Sequence, residues 1–482
     1  TRRPPPAAPA PALQMADARD AVAVAGNEQA TESSFRTATA SSGGGRTARL
    51  LEPPLLVDAD TSTISVGLTS NKEGSGSAAM IFTIWNTMMG STLLVMPACF
   101  RESGWLLGAG LAIICAGISQ FTCGVIVSAG MRMPDPTAEF ADLAAAYLGV
   151  RGWYAALFAS VGVCLGAACA MHGYLATSLN DLLIDTPQQG GLGLEGAWES
   201  LTPNPRGLAA AVVLVLLLPL CSLPSMRILA RFNVLGVGCV FLMLAFILAS
   251  AIANGMSADA LSAPSLARPK VAILGTFALS FFIHSIAITI FRAAARPKDN
   301  TRNLSIAYAL VTATYVGVGV SSNLCPPLGD AAALESAAGR NSFLSIRQPA
   351  SLAVPLLVAR IAVVVQCVTV YPVLIYAIRT QFFTALIYHR AYPGWRPVLG
   401  LNLVAVGATF AVIASGLHIA DVIRFTGAFA ALVCTYCIPA RVHWRGMAAK
   451  AAAHPSAHAA RICMASSLVG FGCLIVAVQF IS

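Results

Sequence analysis

Past residue 76 the chain is a succession of apolar runs, most close to twenty residues long, and no carboxylate falls near the middle of any of them. Eleven such runs are present, at 77–99, 104–128, 155–179, 208–223, 232–253, 271–291, 304–324, 352–378, 398–417, 422–438 and 462–481. A helix of about 20 apolar residues crosses the roughly 30 Å of hydrocarbon in a bilayer. Lipid supplies no hydrogen-bond partners, so every run is predicted as a helix. The fourth and tenth runs are short, and their limits are the least sharp. Composition agrees: 57% of the 482 residues are hydrophobic and 11% charged, where a soluble domain carries about 25% charged residues. A water-soluble enzyme, a nucleic-acid-binding module and a disulfide scaffold are excluded. The predicted class is an all-α membrane protein with eleven transmembrane helices, seated in membrane lipid. Most of the thirteen cysteines lie in the apolar runs. The pair Cys434 and Cys437 reads as small packing residues rather than a metal site.

Residues 1–76 differ in kind. They are rich in Ala, Pro, Gly, Ser and Thr, carry scattered charges of both signs, and hold one aromatic residue, Phe35. Such a segment cannot bury enough apolar surface to offset its ordering entropy, so a disordered tail is expected. It has no apolar run of signal-peptide length. Its acids Asp17, Asp20, Glu28 and Glu32 argue against a transit peptide. The first residue is Thr1 rather than Met, so native residues are expected to precede it. The domain plan is a tail over 1–76 and a membrane domain over 77–482.

Basic residues between the runs set the expected orientation. One set of loops holds Arg132, Arg151, Arg227, Arg231, Arg292, Arg296, Lys298, Arg302, Arg379, Arg390, Arg396, Arg441, Arg445, Lys450 and Arg461, fifteen in all. The opposite set holds Arg101, Arg206, Arg268, Lys270, Arg340 and Arg347, six in all. The richer set shares a side with the tail, so the N-terminus is expected in the cytosol and Ser482 on the far side.

The first run carries an unusual polar cluster, Asn86-Thr87-Met88-Met89-Gly90-Ser91-Thr92, followed by Pro97. A lipid-facing helix has no need of these groups at mid-depth. Gly lowers the cost of leaving helical geometry, and the amide and hydroxyls satisfy backbone groups so freed. A discontinuous transporter helix is built in this way. Amides at the start of its second half hold a substrate carboxylate, and freed carbonyls hold a cation. A small-residue packing face is the other reading of the same residues.

The cluster, with Pro97 and Gly104-Trp105, resembles the first helix of the amino acid/auxin permease family. The segment 136–149 is similar to that family's loop between its second and third helices. Five more segments resemble one branch, the lysosomal sodium-coupled neutral amino acid transporter 9 branch, known for sensing arginine. They are Ile84–Gly90, Phe281-Phe-Ile-His284, Asn303-Leu-Ser-Ile-Ala-Tyr308 with Thr312, Val368-Thr-Val-Tyr-Pro372 with Arg379, and Ile423-Arg424-Phe-Thr-Gly427. The likeness runs from about Ile81 to Arg441.

The resemblance implies a LeuT-like fold: two inverted five-helix repeats, runs 1–5 and 6–10, plus one appended helix. It implies a secondary active transporter that moves amino acids across a lysosomal or vacuolar membrane by alternating access. Run 6 supports a second interruption through Ser280, His284, Ser285 and Thr289, although it has no Gly or Pro after Gly275. The implied substrate contacts are Thr87, Met88, Met89, Gly90, Ser91, Ser280 and His284. A sodium ion, if coupled, would be held by neutral oxygens at Asn86, Thr87 and Thr369. All 21 acidic residues lie in the tail, the loops or at helix ends, so no carboxylate proton relay is available at mid-depth. His284 is equally well read as a structural histidine bonded to a neighbouring helix, and His172 more so. Arg360 reads by default as a packing and orienting residue that snorkels or pairs across the bundle. An intramembrane enzyme would need convergent His, Asp or Ser groups, and only His284 and scattered hydroxyls are at hand, so no catalysis and no cofactor are expected.

Two departures fall in the implied pocket. Ser91 stands where the branch has Thr, and Ser285-Ile286 where it has Asn-Cys, so a preference for arginine is not carried over. The branch also engages a nutrient-signalling complex through its tail. Residues 1–76 hold no Tyr and no segment like the one used there, so that partner is not expected. A transceptor that binds an amino acid and signals with little flux is the alternative function.

Overall fold

The structure is a computed structural model that describes residues 76–89, 92–134, 138–189, 191–201, 205–223, 226–255, 273–292, 294–324, 350–387, 392–448 and 455–480. The expected tail falls outside these residues except for Gly76. So do Gly90 and Ser91 of the polar cluster.

Helices α1 (Ser77–Met88) and α2 (Thr92–Ser103) share the first predicted run, and α3 (Trp105–Gly130) covers the second. A short helix, α4 (Phe140–Leu148), leads into α5 (Val150–Ile184) on the third run, and α6 (Glu195–Glu199) lies in the loop beyond. Next come α7 (Pro205–Cys221) and α8 (Met226–Asn254). The sixth run is divided into α9 (Ile273–Ser280) and α10 (His284–Arg292). Then follow α11 (Asn300–Leu324), α12 (Ala353–Phe382) and α13 (Trp395–Ala414). On the tenth run α14 (Ile419–Ala431) passes through a π-helical turn, Leu432–Cys437, into α15 (Ile438–Ala448), and α16 (Pro455–Val478) is last.

Among the described residues seven helices are long and apolar enough to cross a membrane, and the bent α1–α2 pair makes an eighth. Shorter apolar stretches at Gly207–Cys221, Ile273–Ile288 and Ile462–Val478 fall on the fourth, sixth and eleventh predicted runs. The protein is all-helical and multi-pass. Exposed apolar side chains such as Ile114, Phe158, Val215, Leu248 and Val404 cover its outside, as lipid contact requires.

Two elements differ from the sequence reading. The tenth span, expected to be short, runs over 27 residues, Ile419–Arg445. Pro439 has no N–H to return to the preceding turn, and the wider π turn just before it takes up that gap. The segment matched above to a family loop contains α4, whose Glu139 and Asp142 form a reciprocal capping box. Gly149, at φ 72°, ends α4 and starts α5, a conformation that side chains with a Cβ disfavour.

Helix α12 packs chiefly against α5 and α8, and α14 lies against both α9 and α5. Helix α11 runs beside α1, α2 and α3. The α5–α14 crossing is close because Gly166 receives Thr426 and Gly173 receives Ile419. At one end of the core, Arg360 on α12 is buried and pairs with Asp185 just past α5, Nη2 to Oδ2 at 2.7 Å. Its Nη1 also donates to the carbonyl of Gln189 at 3.2 Å. Of the two arrangements open to Arg360, the structure shows pairing across the bundle.

A candidate substrate site at two helix interruptions

The first interruption separates α1 from α2, whose axes differ by 61° over Ser77–Met88 and Thr92–Arg101. In an unbroken helix the carbonyl of Met88 would accept from the N–H of Thr92. Here it accepts from the hydroxyl of Tyr315 on α11, and the Thr92 hydroxyl lies 3.4 Å away. Asn86, Met88 and Met89 are buried, while Thr87 is exposed and its hydroxyl turns back to the carbonyl of Thr83 at 2.7 Å. Trp85 ties α1 to its neighbours. Its indole N–H donates to Thr314 of α11 at 3.2 Å, and its ring lies 5.2 Å from that of Phe241 on α8.

The second interruption is Phe281–Ile283, between α9 and α10. The helix tightens before it stops, with the Phe282 N–H bonded to the carbonyl of Leu279 at 3.0 Å. Beyond it the carbonyl of Phe281 accepts from Tyr308 of α11 at 3.0 Å. The carbonyl of Ser280 lies 3.5 Å from the Tyr315 hydroxyl. Phe281 sits between the two tyrosines, stacked on the ring of Tyr308 at 6.4 Å and edge-on to that of Tyr315 at 5.6 Å. The Ser280 hydroxyl donates to the carbonyl of Thr276 at 2.8 Å and also lies within hydrogen-bond reach of Tyr315, so Ser280 meets Tyr315 through both its carbonyl and its side chain.

His284 opens α10 and is fully buried. Its Nε2 lies 2.9 Å from the Thr122 hydroxyl on α3, and its Nδ1 lies 3.5 Å from that of Thr435 in the π-helical turn. The ring is therefore held from two sides by neighbouring helices. His172 is bonded likewise, to Thr409 at 2.9 Å and to the carbonyl of Ala210 at 3.1 Å.

The structure thus gathers Met88, Ser280 and the intervening Tyr315 at one place. Among the described residues no hydrogen bond draws Thr369 into that group. Thr369 lies on α12, buried, with its hydroxyl donating to the carbonyl of Gln366 at 2.9 Å. Asn86 is buried with its Oδ1 free of any hydrogen bond among the described residues. Tyr308 and Tyr315 were missed as site residues. Their spacing of seven places both on one face of α11. Two buried tyrosines on one face of a membrane helix need hydrogen-bond partners, which was the available signal.

Chemically, each interruption leaves a helix C-terminus, α1 and α9, with carbonyls that carry partial negative charge. Each also leaves a helix N-terminus, α2 and α10, with N–H groups that carry partial positive charge. A group with a cationic and an anionic end fits such a pair of breaks.

A family model described as transmembrane amino acid transporter protein matches residues 73–481. The sodium-coupled neutral amino acid transporter 9 homolog of Caenorhabditis elegans is 27% identical over 431 residues, covering 76% of this chain and 68% of that protein. Neutral amino acid transporter 9 of Xenopus laevis is 28% identical over 428 residues, covering 78% of this chain and 75% of that protein. Solute carrier family 38 member 10 of Homo sapiens is 24% identical and covers 76% of this chain but 32% of its own length. Among solved structures, a mutant of the manganese transporter of Eremococcus coleocola gives a TM-score of 0.47 at 13% identity, over 84% of this chain and 94% of that one. The family match spans the membrane domain from before α1 to the end of α16, and it agrees with the resemblance carried by the motifs: this chain belongs to the transmembrane amino acid transporter protein family.

Proposed function

We propose that the protein is a secondary active transporter that moves amino acids across an organelle membrane, lysosomal or vacuolar, by alternating access. The observation that carries the reading is the pair of interrupted helices, whose freed carbonyls at Met88 and Ser280 meet at the Tyr315 hydroxyl. The substrate's ammonium group lies at the two C-terminal helix ends and its carboxylate at the N-terminal end of α2, with Gly90 and Ser91, outside the described residues, kept as contacts on the sequence reading alone. Thr87, Met89 and His284 complete the surroundings. The fold is the LeuT-like plan of eleven spans, two inverted five-helix repeats with α16 appended, and the N-terminal tail faces the cytosol. What supports the count is the eight long or paired spans together with the three shorter apolar stretches.

Sodium is the coupling ion in this reading. It is held by Asn86, Thr87 and Thr369, and the free Oδ1 of Asn86 supports an oxygen donor there. The relatives named sodium-coupled or neutral amino acid transporter 9 support both the substrate class and the coupling.

The test is uptake of the twenty standard amino acids into liposomes containing the purified protein, with sodium and pH gradients imposed separately. Concentrative uptake driven by sodium alone is the expected result. Uptake driven by the pH gradient alone would remove sodium from the account. A companion variant, Ser91→Trp, should abolish uptake by filling the pocket while the protein stays monodisperse. Normal uptake by that variant would place the pocket elsewhere.

A further inference from the structure

We infer that Tyr315 is a positioning residue for the substrate's ammonium group, and that its hydroxyl sets the protein's preference for a primary amine at that place. The inference rests on the transporter family's amino acid reading but not on flux.

The argument is a count of protons and lone pairs. A tyrosine hydroxyl has one proton to give. Four oxygens lie within reach of Tyr315 Oη: the Met88 carbonyl, the Thr92 hydroxyl at 2.7 Å, the Ser280 carbonyl at 3.5 Å and the Ser280 hydroxyl, whose own proton goes to the Thr276 carbonyl. The Met88 carbonyl takes the proton, because it is the nearest and has no helical N–H of its own. The Thr92 hydroxyl then donates to Oη, which fixes the direction of the Tyr315 O–H. The Ser280 carbonyl is left over. Its helical donor would have been the N–H of His284, from which the Phe281–Ile283 interruption has separated it.

Tyr308 sharpens the contrast. It stands two turns earlier on the same face of α11 and donates to the Phe281 carbonyl at 3.0 Å, so that acceptor is satisfied. Adjacent carbonyls in one break therefore differ, Phe281 closed and Ser280 open. Tyr315, Ser280, Thr92 and Met88 are all buried, so bulk water does not serve the open acceptor.

A primary ammonium group brings three N–H donors, no acceptor, and a positive charge. It matches an open Ser280 carbonyl and the second lone pair of the Met88 carbonyl, at the negative ends of α9 and α1. Tyr315 brings those two carbonyls toward one point, although they belong to segments 192 residues apart in sequence. A 2-hydroxy acid keeps the carboxylate and side chain but brings one donor and no charge.

The experiment is equilibrium binding to the purified full chain in detergent, followed by thermal stabilisation. The ligands are the twenty standard amino acids, then the 2-hydroxy acid that matches the best binder. Tyr315→Phe keeps the ring and its packing. It should weaken the amino acid about fivefold, the loss of one hydrogen bond, and leave the weaker 2-hydroxy acid unchanged. Thr92→Val removes the hydroxyl that orients Tyr315. It should move the amino acid the same way by a smaller factor, and it carries the test should Tyr315→Phe not fold. Equal weakening of both ligands in either variant would mean a merely structural role and would overturn the inference. So would unchanged amino acid binding in Tyr315→Phe, or no binding of any amino acid to the wild type. Binding as expected with no flux in liposomes would contradict the transporter reading and leave Tyr315 in place.

Discussion

A methyl group built on Gly427 would stand 2.0 Å from the carbonyl oxygen of Gly275. The reverse view is similar: a methyl on Gly275 would lie 2.3 Å from the carbonyl of Arg424. Helices α14 and α9 therefore cross backbone to backbone, and this contact holds the half-helix that ends at Ser280. Without a side chain on either partner, packing across the crossing is van der Waals contact between main chains.

Gly427→Val should accordingly push α9 away from α14. Overpacking a tight contact costs about 1–3 kcal/mol, and a rigid backbone neighbour places this case at the upper end. Thermal unfolding of the purified variant in detergent should show the loss directly. Gly470→Val, at a position with open space around it, serves as the control and should unfold near the wild-type temperature.

The Arg360–Asp185 pair gives an asymmetric expectation. Arg360 is nearly fully buried, whereas the Asp185 side chain keeps 18% of its surface accessible. Removing the carboxylate takes the Asp185 ion-pair partner from a buried guanidinium. Removing the guanidinium leaves a carboxylate that water can still reach. Asp185→Asn should therefore destabilise by about 3 kcal/mol, and Arg360→Met by less. Urea or thermal unfolding of the two variants checks the order, and the reverse order would contradict this account of the pair.

Arg379 closes the end of a different helix. Its two terminal nitrogens donate to the carbonyls of Cys221 and Leu223, at 3.0 and 3.1 Å, at the end of α7. The guanidinium also lies over the Tyr376 ring at 4.5 Å. Lysine has one nitrogen and no planar face, so it cannot keep both carbonyls and the ring. Arg379→Lys should cost about 1–2 kcal/mol, read as a lowered unfolding temperature with binding of amino acids little changed.

Much of this was legible in the sequence, and the limits have physical causes. The runs of apolar residues mark most of the helices because lipid leaves the backbone no other choice. The first interruption shows in Asn86, Thr87 and Gly90, since the residues that break a helix are local to it. The second shows only in the polar Ser280, His284, Ser285 and Thr289 around it, because Phe281–Ile283 itself is apolar and has neither Gly nor Pro. It is held open from a distance, by Tyr308 and Tyr315 on α11 and by the capture of His284 between Thr122 and Thr435. Partners 27 to 162 residues away, on other helices, leave no periodic trace. Arg360 has the same character: its residue type announces a buried charge, but Asp185 as its partner emerges only from the packing of α12 on α5.

Topology provides a further expectation. The fifteen-to-six excess of basic residues on one set of loops predicts a cytosolic tail. A tag fused ahead of Thr1 should be reached by protease added to the cytosolic face of intact vesicles, and a tag after Ser482 should be protected. Cleavage of both tags would require an even number of spans.

The central claim is that the two interrupted helices form a substrate site that opens to both sides of the membrane. Counterflow tests it most directly. Liposomes containing the purified protein are loaded with an unlabelled amino acid that the protein binds, then diluted into a trace of the same amino acid carrying a radiolabel. The account predicts transient accumulation of label inside, well above equilibrium, with none in empty liposomes. Tight binding of the amino acid without any accumulation of label would contradict it.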